Sequence, residues 1–176
     1  MQPTQEVEQA ARAIDVEHNL AAFGEENDPS DWLAEGTDEL VASVRLAAAA
    51  LLLEVGAVVP RSFGVLFASD ARIAELNGDW RGKPRATNVL SWPAEDLRTS
   101  DEPPPYLGDL AFAHGVISRE AAERGQRLLD YLSVLTVHGL AHCLGHDHLD
   151  DDEAEAMERL EARALQRIDL PDPYAG

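Results

Sequence analysis

Residues 138–148 read HGLAHCLGHDH, and they place three imidazoles where one divalent ion could hold them. His138 and His142 are four apart, so on a helix they project from one face, one turn apart. Imidazoles so placed can each reach an ion at about 2 Å. Gly145 follows, where a helix can end in a left-handed turn without a side-chain clash. That turn can swing the chain back and bring His148 to the same ion. Three protein ligands leave tetrahedral zinc one open position, which marks catalytic rather than structural sites. Apolar neighbours such as Leu135, Val137 and Leu140 predict a largely buried helix, where histidines need partners. The expectation is one Zn2+ per chain, bound by His138, His142 and His148.

The other candidates nearby read more plainly. His146, two residues from His148, is expected to face away. His18 and His114 read as ordinary histidines, and Cys143 as a small core residue. Asp147 suits either an orienting partner for a ligand imidazole or a surface acid. The spacing H-x3-H-x2-G-x2-H also fits a metzincin protease. Those enzymes carry Glu directly after the first His as general base. Gly139 occupies that place and can transfer no proton, so peptide hydrolysis ranks below other chemistry. The base itself is left open between water activated by the metal, an RNA 2′-hydroxyl and an acid from elsewhere.

The second feature is a run without acids. The chain carries a formal net charge of −19, yet residues 80–94 hold no Asp or Glu. They hold Arg81, Arg85 and Lys83, the only lysine in the chain. Arg81 could offer paired donors to a phosphate and stabilise charge developing on it. Lys83 and Arg85 suit flanking phosphates. Trp80 or Trp92 could stack an unpaired base, although core is the ordinary reading of both.

The elements that must carry these residues follow from pattern. Strands are expected at 13–20, 62–68, 87–92 and 109–113. Helices are expected from Thr37 or Asp38 to about Val55, from Asp70 through Leu76, from Ser118 to about Arg127, and from Asp130 until Gly145 ends it. A last helix, capped by Asp150 or Asp151, shows Ala154, Met157, Leu160, Ala164, Leu165 and Ile168 on one face. Strands mixed with helices suggest an α/β or α+β domain. Residues 1–12 read as a flexible tail, 13–168 as a single domain, and 169–176 as a C-terminal tail.

At 176 residues and 45% hydrophobic, one such domain can bury a substantial core. The N-terminus lacks the pattern of a signal peptide, and the longest apolar stretch, Leu46–Leu53, is too short to span a bilayer. With one cysteine, the chain fits a reducing cytoplasm. Its net charge argues against non-specific binding to nucleic acid or anionic lipid. Seven acids lie between Glu25 and Glu39 and seven more between Asp150 and Glu161; both runs read as solvated surface.

HGLAHCLGHDH followed by LDDDEAEAMERLE resembles the signature of the YbeY family, bacterial endoribonucleases that mature ribosomal RNA. LNGDWRGKPRATNVLSWP (Leu76–Pro93) resembles the family's arginine-bearing loop and strand, and LGDLAFA (Leu107–Ala113) its next strand. The blocks occur in the family's order and cover roughly residues 13–168. The resemblance implies an α+β fold, with a small mixed four-stranded sheet packed against about five helices. It implies a zinc-dependent, single-strand-specific endoribonuclease acting in small-subunit rRNA 3′-end maturation and ribosome quality control. It carries over His138, His142 and His148 as metal ligands and Arg81 as the functional arginine. The implied partners are ribosomal RNA, the small ribosomal subunit and an Era-type GTPase, with no membrane. His146 stands where relatives often have Tyr, and Pro84 and Arg85 where they often have aspartate and lysine. Two alternatives remain beside this reading: a metzincin-like metallopeptidase, and a non-catalytic, zinc-stabilised ribosome assembly factor.

Overall fold

A computed structural model describes residues 3–19, 30–57, 61–94, 104–146 and 150–175. Among them are seven helices and four strands. β1 (Ile14–Asn19) pairs parallel with β2 (Arg61–Ala68), and β2 pairs parallel with β4 (Tyr106–Ala113). The short β3 (Val89–Pro93) pairs antiparallel with β4 and forms the far edge, giving the order β1-β2-β4-β3. The expected α+β class with a mixed four-stranded sheet is what forms.

Period-2 alternation gives the sheet two different faces. Val16, Phe63, Val65, Phe67, Leu110 and Phe112 point into the main core. That core lies under α3 (Thr37–Glu54) and α6 (Leu128–Cys143), with α7 (Asp151–Gln166) packed on both helices. Leu66, Leu90, Trp92 and Ala111 point the other way and meet Ile73 and Leu76 of α4 (Asp70–Arg81) in a smaller cluster. Burial works against ionising Glu54, yet bonds from Arg167 and Arg163 outweigh it and hold its pKa below the ordinary value. These bonds, 2.6 and 3.0 Å long, tie α7 to the end of α3.

Five expectations are corrected. Residues 1–12 are not a loose tail. Thr4 caps α1 (Gln5–Ala11), whose Val7, Ala10 and Ala11 are buried against α3. Their spacing of three and four is a short apolar stripe hidden in polar sequence. The acidic run before Glu39 contains α2 (Ser30–Glu35), which anchors it by burying Trp32; the indole N–H donates to Ala68 O at 2.8 Å. With α1 and α2, the expected five helices become seven.

α4 runs past Leu76 to Arg81 despite Asn77 and Gly78. Gly78 is useful there because Pro84 packs where its Cβ would sit, and the Asn77 amide donates to Arg85 O at 2.9 Å. α5 (His114–Glu123) begins four residues before Ser118, directly from β4. Its start is served by Asp70 of α4, whose carboxylate accepts from Val116 N–H at 3.0 Å. Finally, the segment after Asp169 folds back: Leu170 packs on the core and Tyr174 reaches Glu161.

Candidate active site

α6 presents His138 and His142 on one face, as their spacing requires, with ring centroids 4.7 Å apart and planes nearly perpendicular. The helix ends as the glycine predicts. Gly145 adopts φ +87°, His146 N–H bonds to Ala141 O, and Gly145 N–H bonds to His142 O. This pairing is the Schellman termination, which favours glycine at the left-handed position. It directs the chain back past the histidine face, and His146 joins His138 and His142 in lining one cavity, against the expectation that it faces away. His148 and Asp147 lie outside the described residues. Cys143 is buried as expected, and burial pushes its thiol up to about 12.

The cavity, about 540 Å³, opens between α6 and the edge strand β3. Thr87, Asn88 and Ser91 form its polar far wall, and Arg81 reaches into it from the end of α4. A left-handed Gly82 (φ +66°) stops α4 there, so Arg81 is the last helical residue and is exposed. Lys83 and Arg85 do not line this cavity. They line a neighbouring one of about 190 Å³, which shares Arg81 and Thr87 with the first. The three cations thus form a strip leading to the histidines. Asn88 latches the far wall: its amide donates to Glu120 at 2.9 Å, and the Tyr131 hydroxyl donates to the same carboxylate oxygen at 2.6 Å.

Behind His138 lies a residue that the sequence reading missed. Glu161 of α7 is 1% exposed, and its Oε1 sits 2.8 Å from His138 Nδ1. Its Oε2 accepts a bond from the Tyr174 hydroxyl. By charge pattern alone Glu161 reads as one of the solvated acids. The other acids of its run, Asp150–Glu158, are exposed, so the correction concerns this one residue. A signal was present: Glu161 falls four residues after Met157 and three before Ala164, on the apolar stripe of α7. An acid on a buried stripe needs a partner.

Among the described residues no group of three or more His, Cys, Asp or Glu side chains gathers as a metal site, and His148 lies outside them; the two imidazoles that are described are of the ligand type zinc accepts. A carboxylate only accepts, so in this contact His138 donates from Nδ1, and Nε2 is the nitrogen that would face a metal. Carboxylate–histidine pairs of this kind orient and polarise zinc ligands. Gly139, where a protease would carry its base, faces the sheet instead; a Cβ there would sit 2.8 Å from Leu110 Cδ2 and 3.4 Å from Val89 Cγ2.

The α+β domain thus brings two histidines and an arginine to one cavity at the edge of its sheet. The family model described as Endoribonuclease YbeY matches residues 31–169. An Endoribonuclease YbeY of Jannaschia sp. is 52% identical over 122 residues, spanning 64% of this chain and 76% of the relative. That of Allorhizobium ampelinum is 45% identical over 120 residues, spanning 68% and 72%. The solution structure of TM1509 from Thermotoga maritima superposes with a TM-score of 0.55 at 19% identity, over 88% of each chain, which supports the fold. The chain belongs to the YbeY family. Among the described residues, no helix is long and apolar enough to cross a membrane.

Proposed function

We propose that this chain is a zinc-dependent endoribonuclease that cuts single-stranded RNA. The observation that carries the proposal is Arg81, delivered by the end of α4 to the cavity lined by His138 and His142. The names of the relatives support RNA as the substrate. His138, His142 and His148 would hold the zinc, which when bound can polarise a phosphoryl oxygen and lower the pKa of water.

The chain's own residues do the rest. Arg81 donates paired N–H groups to the scissile phosphate and offsets the charge that gathers on its oxygens. Glu161 fixes the tautomer and the aim of His138. Lys83 and Arg85 hold phosphates on one side of the cut. Their confinement to one strip lets an acidic protein engage RNA locally while its net charge suppresses non-specific binding. Maturation of the small-subunit rRNA 3′ end and ribosome quality control in the cytoplasm, with the small subunit and an Era-type GTPase as partners, complete the proposal on the strength of the family resemblance.

The test is cleavage of a labelled single-stranded RNA, its duplex and casein, each with and without chelator. Only the single strand without chelator should be cut. His142→Ala should lose both zinc and cleavage. Arg81→Ala should keep its zinc and fold but lose cleavage about a hundredfold or more, as when one donor to a developing oxyanion is removed. Wild-type cleavage by Arg81→Ala would remove Arg81 from the mechanism.

A further inference from the structure

Trp80 sits on the core side of its helix pattern yet stays open to water. Ile73, Asn77 and Trp80 follow the three-and-four spacing that α4 turns toward the sheet, and Ile73 and Asn77 are buried. Trp80 is nevertheless 69% exposed. α4 carries it beyond the packed cluster, where it meets Trp92 edge to face, with centroids 6.2 Å apart. A tryptophan on an apolar stripe, left open to water, points to something that covers it.

The two indoles border a second cavity, about 660 Å³, on the sheet face opposite the histidines. Leu66 and Leu76 give it an apolar lining, Glu17 and Asp109 its carboxylates, and His18 an imidazole. Asp109 lies across Gly64 of β2, where a Cβ would clash with its Oδ1, and the Tyr106 hydroxyl donates to that oxygen at 2.6 Å. The edge strand β3 separates the two cavities: Val89 and Ser91 face the histidines, whereas Trp92 faces the trough. α4 bridges them at consecutive residues, Trp80 lining the trough and Arg81 the histidine cavity.

We propose that this trough receives one unpaired nucleobase of the RNA, stacked on Trp80, next to the phosphate held at Arg81. The inference rests on the ribonuclease reading above. The charge pattern selects a base over a phosphate here: the cations Arg81, Lys83 and Arg85 lie outside the trough, and its carboxylates repel phosphate. Those carboxylates accept hydrogen bonds, so the trough favours adenine, cytosine or guanine, whose exocyclic amino group offers two N–H donors, over uracil, which offers only its N3–H. Stacking on an aromatic ring is the usual way proteins grip single-stranded RNA.

The experiment is steady-state cleavage of ten-nucleotide A, C and U single strands by the zinc-loaded protein and two variants, with melting temperatures as a fold control. Wild type should show lower KM for A10 and C10 than for U10. Trp80→Ala should raise KM for A10 and C10 about tenfold, while kcat stays within about twofold. Trp80→Phe should restore KM to within about threefold, because stacking needs only a ring. An unchanged KM in Trp80→Ala, with wild type still cutting, overturns the trough alone. Equal KM for all three wild-type substrates overturns the selection by Glu17 and Asp109. A wild type that cuts no RNA overturns both this inference and the function beneath it.

Discussion

His138 Nδ1 lies 2.8 Å from Oε1 of Glu161, a carboxylate that is 1% exposed and comes from a helix 23 residues further along the chain. This contact joins α6 to α7 at the candidate centre and assigns the imidazole its tautomer. Removing such an orienting carboxylate typically costs 10- to 100-fold in metal affinity. Glu161→Ala is therefore expected to weaken zinc binding by about that factor, read by competition against a chelating dye. A folded Glu161→Ala protein with wild-type zinc affinity would leave the contact structural only.

Tyr174 completes the same chain of bonds from the C-terminal segment, by donating to the second oxygen of Glu161. Burial, then the hydrogen bond to Glu161, raises its pKa above the ordinary tyrosine value. Tyr174→Phe leaves the buried carboxylate short of one donor. The expected cost is about 1–2 kcal/mol, seen as a lower midpoint in urea with an unchanged slope. Zinc affinity should fall less than in Glu161→Ala, since the His138 contact survives.

The orientation of Gly139 can be tested directly. A side chain there meets Leu110 and Val89, which pack α6 onto β4 and β3. Gly139→Ala should cost about 1–3 kcal/mol through overpacking. Gly139→Glu should cost more by burying an unpaired carboxylate, and it should not create casein hydrolysis, because the position faces the sheet rather than the cavity. Casein cleavage by Gly139→Glu would show that the glycine identity alone had withheld peptidase chemistry.

Alkaline stability should report on Tyr131. Burial first, then its hydrogen bond to Glu120, raises its pKa from 10.0 to about 12. A group whose folded pKa is raised contributes stability that is complete below its unfolded pKa. That stability is lost as pH rises through the folded value. Tyr131 should thus contribute about 2 kcal/mol that disappears between pH 10 and 12. Denaturation midpoints across that window should fall steeply for wild type and less steeply for Tyr131→Phe. Part of the slope remains, because Tyr106 and Tyr174 are also raised.

Local rules made much of this protein legible in its sequence. The spacing of His138 and His142 on one helix face, the left-handed stop at Gly145, the Asp150 cap of α7 and the alternation within β2 and β4 are set by neighbours a few residues away. So is the acid-free run that pointed to Arg81. The resemblance to the family rested on the same short blocks. Tertiary structure decided what those rules could not reach. Whether Glu161 is solvated or buried depends on how α7 settles against α6, and Tyr174 finds it only because the chain after Asp169 turns back. α4 continues past Asn77 and Gly78 because Pro84 and Arg85 O repay those residues from a loop that propensity ignores. Trp80 satisfies the periodicity of a core residue, yet the packed cluster ends before it does. In each case a local pattern fixes which way a side chain points, and only the packing of distant elements decides what it meets there.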